Sequence, residues 1–206
     1  MADRTGAGLA VSDLHPAVFV DRDGVINQNR PDYVKSWGEV VFLPRVFEAW
    51  RRLSRTAYRV AIVTNQSAVG RGIITLATAN EINRRLIESI RQRGGRVDGV
   101  YLCPHHPNAG CDCRKPRPGL LRQAAADLDI DLARSYLVGD ARSDLEAAQA
   151  AGVQGILVRT GRGAETEGRF SRRDRSLWPV VDDMEAAVEY ILRRRPPEKN
   201  FNELVW

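Results

Sequence analysis

Asp21 and Asp23 flank one arginine in VDRDGVIN, and a third carboxylate, Asp140, ends the run YLVGD much later in the chain. Between them lie Thr64-Asn65-Gln66-Ser67 and the triplet Arg114-Lys115-Pro116. Carboxylates, a hydroxyl and two cations form a set suited to phosphoryl transfer. Two or three hard oxygen ligands suit Mg²⁺, which keeps several waters and takes its remaining oxygens from a phosphate. An ionised carboxylate can attack phosphorus and form an aspartyl phosphate. Beyond that the reaction asks mainly for position and positive charge, which Mg²⁺, Lys115 and backbone N–H groups can supply. Lys115 is one of only three lysines among 31 basic residues, so a compact point charge stands out there. An aspartate after an apolar run is also a common turn former or helix cap. That explains Asp21, Asp23 and Asp140 one at a time but not their shared placement. For Asp144, in SDLEAA, capping and a place in the site remain equal readings.

A second cluster is CPHHPNAGCDC, which holds all three cysteines and two of the three histidines. Cys103, His105, Cys111 and Cys113 offer four ligands in one loop, which suits a closed tetrahedral Zn²⁺ site. A redox pair fits less well, since the spacing is C-x-C and not C-x-x-C. Inert buried cysteines fit poorly in a segment this rich in Pro, Gly, Asn and Asp. With all four positions filled by protein, such a zinc is structural, and it would fix the loop so that Arg114 and Lys115 face a phosphate.

The elements that must carry these groups alternate. AVFV, YRVAIVTN, GVYL, SYLVGD and QGILV read as short apolar strands. LPRVFEAWRRLSR, with Pro44 in its first turn, the Thr-capped TLATANEINRRLIESIRQRGG, GLLRQAAADLDI, SDLEAAQAAG ending on Gly152, and DDMEAAVEYILRRR read as helices. Residues 159–179 read as irregular. Strand–helix alternation with apolar strands predicts an α/β fold, a Rossmann-like parallel sheet with helices on both faces. Such sheets bind ligands beyond the carboxyl ends of their strands, which is where the chemically loaded residues fall. The gap from Gly24 to Leu43 holds a loop but no cap domain.

At 206 residues the chain is expected to form one domain over 16–195, with a flexible leader at 1–15 and a tail at 196–206. No apolar run reaches the length of a membrane span and the N-terminus has no signal-peptide core, so a cytoplasmic location is expected and a membrane is not. The net charge of +5 permits an anionic partner. The arginine clusters at Arg169–Arg175 and Arg193–Arg195 read as solvated faces, because no aromatic interleaving supports nucleic-acid binding. Oligomeric state is open, with a monomer favoured.

VFVDRDGVIN, VTNQS, RKP and VGDARSD, in that order and on those strands, resemble the four motifs of the haloacid dehalogenase superfamily of phosphatases. Within it, DRDGVIN, TNQSAVGRG and CPHHP…CDCRKPRPG are similar to the heptose bisphosphate phosphatases, and histidinol-phosphate phosphatases share much of the pattern. The resemblance implies Asp21 as nucleophile and Asp23 as acid, then base. It implies Mg²⁺ on the carboxylates of Asp21 and Asp140 and the backbone carbonyl of Asp23, with Thr64 and Lys115 holding phosphoryl oxygens. It supports the same four zinc ligands. The implied substrate is a small phosphorylated sugar, touched by Arg22, Asn29, Arg30, Pro31, Asp32, Tyr33, Asn65, Gln66, Ser67, Arg71 and Arg114. The chain departs from the pattern at Ala141, where these phosphatases usually carry lysine. A histidinol-phosphate or other phosphomonoesterase, and a nucleic-acid end phosphatase, stand as alternatives.

Overall fold

In the computed structural model, which describes residues 14–194, six parallel strands form one sheet in the order β3-β2-β1-β4-β5-β6. The strands are β1 (Ala17–Val20), β2 (Arg59–Asn65), β3 (Gly99–Cys103), β4 (Tyr136–Gly139), β5 (Gln154–Val158) and β6 (Val180–Val181). Side chains of a strand alternate between faces, and here both faces are apolar. Val18, Val20, Val60, Ile62, Val138 and Ile156 join one core, packed by α1 (Val46–Ser54), α3 (Leu76–Gln92) and α8 (Met184–Arg193). Ala17, Phe19, Ala61, Val63 and Leu137 join the other, under α4 (Gly119–Leu128) and α5 (Arg142–Ala151). The expected doubly covered parallel sheet is therefore present.

Several expectations need correction. Residues 159–179 are not irregular throughout: they hold α6 (Gly163–Gly168) and α7 (Arg172–Leu177), the latter capped by Ser171, whose hydroxyl accepts the Asp174 N–H at 3.2 Å. The edge strand β6 and the single turn α2 (Ser67–Gly70) also went unpredicted. Pro44 lies before the first helix, because Arg45 takes a left-handed φ of 60° and the helix starts at Val46. The end of the presumed leader is tied to the body: His15 N–H donates to Asp129 O at 2.7 Å and His15 O accepts Asp131 N–H at 2.8 Å. The rest of the leader and the tail lie outside the described residues.

Among the described residues no helix is long and apolar enough to cross a membrane. Much of the arginine excess meets acids, as in Arg169–Glu165, Arg142–Asp174, Arg159–Glu167 and Arg193–Glu189.

Candidate active site

β1 lies between β2 and β4, and the chain leaves β1 towards one side of the sheet and β4 towards the other, so a crevice opens at their carboxyl ends. Asp21 directly follows β1, and its N–H extends the ladder to Val138 O at 2.9 Å. Asp140 directly follows β4. Thr64 stands at the end of β2. Two glycines make room for Asp140: a Cβ on Gly24 (φ +89°) or on Gly161 (φ +58°) would fall 2.0 or 2.2 Å from its Oδ2. That oxygen accepts the Arg162 N–H at 2.8 Å.

Lys115 is buried at the centre of the site. Its Nζ stands 3.0 Å from Asp21 Oδ1 and 2.6 Å from Asp144 Oδ1, and donates to Val63 O at 2.8 Å. Burial opposes its charge, but the two carboxylates outweigh burial and hold its pKa above the usual lysine range. Asn65 grips its backbone from both sides, donating to Lys115 O at 3.0 Å and accepting Lys115 N–H at 3.1 Å. Asp144 settles its two readings by doing both tasks. Its Oδ2 accepts the N–H of Ala141, the first residue before α5, while Oδ1 pairs with Lys115.

The two outer carboxylates differ from Asp23. Burial, with the charges of Asp144 and Asp23 adding to it, pushes Asp21 up to about 7 against the opposing pull of Lys115. Burial and the charges of Asp21 and Asp144 push Asp140 up to about 8. Asp23 is partly buried, which opposes its charge, but Arg22, Asn27 and Gln66 outweigh that and lower its pKa. Its Oδ2 accepts from Arg22 Nη2 at 2.8 Å and Gln66 Nε2 at 2.7 Å, and its Oδ1 from Asn27 Nδ2 at 2.8 Å. Ground-state Asp23 is thus a carboxylate, and an approaching phosphate dianion would raise its proton affinity.

One oxygen each of Asp21, Asp140 and Asp144 lies within 4.8 Å of the others, and three crowded carboxylates, two buried and one half-buried, with one lysine leave an excess of negative charge. This donor set fits a hard divalent cation. The second cluster fits zinc. Cys103 Sγ is 3.6 Å from His105 Nδ1 and 3.7 Å from Cys111 Sγ, and Cys113 Sγ is 3.2 Å from His105 Nδ1 and 3.5 Å from Cys111 Sγ. A tetrahedron with Zn–S bonds of about 2.3 Å has edges of about 3.8 Å, and the N–S edges are shorter. Burial and the two neighbouring thiols push Cys113 up to about 12, a repulsion that a bound cation would relieve.

A cavity of about 260 Å³ opens on these carboxylates. Of the residues expected there, Asp21, Asp23, Thr64, Lys115, Asp140, Asn29, Arg30, Pro31, Tyr33, Asn65, Gln66, Ser67, Arg71 and Arg114 line it. Arg22 and Asp32 do not. Arg22 is buried behind Asp23, and Asp32 is turned to solvent, paired with Arg30 and Lys35. Asn65 and Gln66 line the wall, but their amides are engaged with Lys115 on one side and with Asp23 and Thr64 on the other. Sequence reasoning missed Ser143 and Arg162 as lining residues and Asn27 as a partner of Asp23. Arg162 follows the end of β5, so the strand-end rule could have found it. The guanidinium groups of Arg71, Arg114 and Arg162 meet no acidic side chain among the described residues, although the Arg162 backbone N–H donates to Asp140, whereas Arg30 pairs with Asp32.

A family model described as HAD-hydrolase-like matches residues 112–187. The D-glycero-β-D-manno-heptose-1,7-bisphosphate 7-phosphatase of Pseudomonas aeruginosa is 45% identical over 176 residues, covering 85% of this chain and 97% of the relative. The crystal structure of the D,D-heptose 1,7-bisphosphate phosphatase of Bordetella bronchiseptica, complexed with magnesium and phosphate, superposes with a TM-score of 0.82 at 39% identity, covering 87% of this chain and 99% of that one. At 17% identity and a TM-score of 0.56, a 3-deoxy-D-manno-octulosonate 8-phosphate phosphatase from Moraxella catarrhalis shares the fold. The four ordered motifs and these relatives agree: the chain belongs to the D-glycero-β-D-manno-heptose-1,7-bisphosphate 7-phosphatase family of HAD-like hydrolases.

Proposed function

We propose that this protein hydrolyses the 7-phosphate of D-glycero-D-manno-heptose 1,7-bisphosphate, in the route to nucleotide-activated heptose, through a phosphoryl group carried on Asp21. The observation that carries the reading is the cavity itself: a nucleophile, an acid–base carboxylate and Lys115 at its floor, and in its wall three arginines whose guanidinium groups meet no acid among the described residues. One phosphate occupies the floor, and the free guanidinium groups suit the second.

Asp21 Oδ1 is taken up by the Arg22 N–H at 2.7 Å and by Lys115, so Oδ2 is the oxygen free to attack phosphorus. Asp23 takes up a proton from solvent as the phosphate dianion enters. As the Asp21–phosphorus bond forms, the bond from phosphorus to the C7 oxygen breaks, and the leaving oxygen takes that proton from Asp23. In the second half Asp23 removes a proton from water, whose oxygen attacks phosphorus and releases Asp21 as a carboxylate. Lys115 and Thr64 hold phosphoryl oxygens. A Mg²⁺ held by Asp21, Asp140 and the Asp23 carbonyl supplies the positive charge that lets a carboxylate approach a dianion. Asp144, the third carboxylate of the cluster, orients Lys115 and extends the ligand set. Cys103, His105, Cys111 and Cys113 would hold a Zn²⁺ that, when bound, would fix the backbone immediately before Arg114 and Lys115.

The test is phosphate release with Mg²⁺ from heptose 1,7-bisphosphate, histidinol phosphate and a 3′-phosphorylated oligonucleotide. The reading expects kcat/KM for the bisphosphate to exceed the others by 100-fold or more, as two charge-assisted contacts at about 1.5–3 kcal/mol each allow. Equal or higher kcat/KM for histidinol phosphate would move the protein to another substrate.

A further inference from the structure

Arg22 sits between the two reactive aspartates in sequence, yet it is 1% exposed and does not line the active-site cavity. Burying a guanidinium is costly unless its charge is matched, so its contacts identify its task. Nη2 donates to both oxygens of Asp23, at 2.8 and 3.1 Å. Nη1 donates to Oδ1 of Asn83 at 3.0 Å, and Asn83 is itself buried on α3. The brace therefore runs from a long helix through Asn83 and Arg22 to the carboxylate. The remaining contacts of Asp23 are one amide to each oxygen, from Asn27 and Gln66. Without the guanidinium gripping both oxygens, the carboxyl could turn about its bond to Cβ while keeping one amide contact. The same position serves Asp21, whose Oδ1 accepts the Arg22 N–H at 2.7 Å, so one residue sets the spacing of nucleophile and acid.

We infer that Arg22, braced by Asn83, is a positioning residue that holds the Asp23 carboxyl in the orientation from which it protonates the leaving oxygen. The inference rests on the reading of Asp23 as the acid. A brace of this kind matters in proportion to how much the leaving group needs a proton. An alkoxide from C7 of a sugar needs one, and p-nitrophenolate does not. A purely structural role would slow both substrates alike.

The experiment measures first-turnover release of the leaving group, before hydrolysis of the phosphoenzyme, for heptose 1,7-bisphosphate and p-nitrophenyl phosphate. Arg22→Met, Asn83→Ala and Asp23→Asn are compared with the parent, with circular dichroism to verify folding. Full loss of general-acid assistance is worth about 10²–10⁴-fold. Arg22→Met is expected to slow the sugar substrate about 100-fold, with KM within about threefold and p-nitrophenolate release within about fivefold. Asn83→Ala gives the same selectivity at about tenfold, and decides the matter alone if Arg22→Met does not fold. Equal losses for both substrates, or no loss, in a folded brace variant would overturn the inference while Asp23→Asn stays selective. If Asp23→Asn itself shows no selectivity, the acid assignment fails, and the inference fails with it.

Discussion

Replacing Lys115 by methionine probes the site where stability and chemistry meet. The side chain is 2% exposed, and its Nζ serves Asp21, Asp144 and the Val63 carbonyl, at 3.0, 2.6 and 2.8 Å. Methionine fills similar volume but leaves the buried Asp144 and the half-buried Asp21 without their cation and one carbonyl without its donor. Breaking a buried ion pair from one side costs about 3–5 kcal/mol. For a domain of this size, each kcal/mol moves Tm by about 2–4 °C, so a fall of about 6–20 °C is expected at neutral pH. The loss should shrink as pH falls, because the stranded carboxyls can then take up protons. Loss of a preorganised cation from the transition state should separately lower kcat by about 10²–10³-fold. Calorimetry across pH, with steady-state kinetics in saturating Mg²⁺, reads both effects. A folded Lys115→Met protein whose Tm stays within 2 °C of the parent, and whose kcat stays within tenfold, would refute the reasoning.

Three further outcomes are expected. Purified protein should contain about one zinc per chain, and removing it with Mg²⁺ restored should lower both Tm and kcat; a zinc-free protein unchanged in both would contradict the assignment. Arg71→Ala, Arg114→Ala and Arg162→Ala should each raise KM for the bisphosphate by roughly 10- to 100-fold, with much smaller effects on a substrate that lacks the second phosphate, and equal effects on both would remove the subsite. Arg142, with help from Ser171, lowers the Asp174 pKa to about 2. A carboxyl whose folded pKa lies below its unfolded one stabilises the fold above the unfolded value and loses that contribution as pH falls towards the folded one. The slope of Tm against pH between about 4 and 2 should therefore be shallower in Asp174→Asn, and an unchanged slope would contradict it.

How much of this was legible in the sequence depended on length and on direction. β1, β2, β4 and β5 are buried on both faces, so they appear as apolar runs ending in polar residues, and the strand-end rule then located Asp21, Thr64 and Asp140. β6 has two residues and α2 four, too few for any period to show. α7 is a short arginine-rich helix defined by the reciprocal Ser171–Asp174 cap. Within the site, residue types marked the chemistry but not which way each polar group turns. Asn65 and Gln66 sit on the cavity wall, yet their amides support Lys115, Asp23 and Thr64. Arg22 lies between two reactive aspartates, yet faces away from the cavity towards Asn83. Asp144 remained undecided because one of its oxygens caps a helix while the other pairs with Lys115.

The most direct test of the account is to follow a heptose 1,7-bisphosphate labelled in its 7-phosphate through a rapid acid quench and to map any label on the protein. The account predicts transient label on the peptide containing Asp21, absent in Asp21→Asn, with heptose 1-phosphate as the product. Turnover of the 7-phosphate with no label on Asp21, or release of the 1-phosphate with the label left on the sugar, would contradict it.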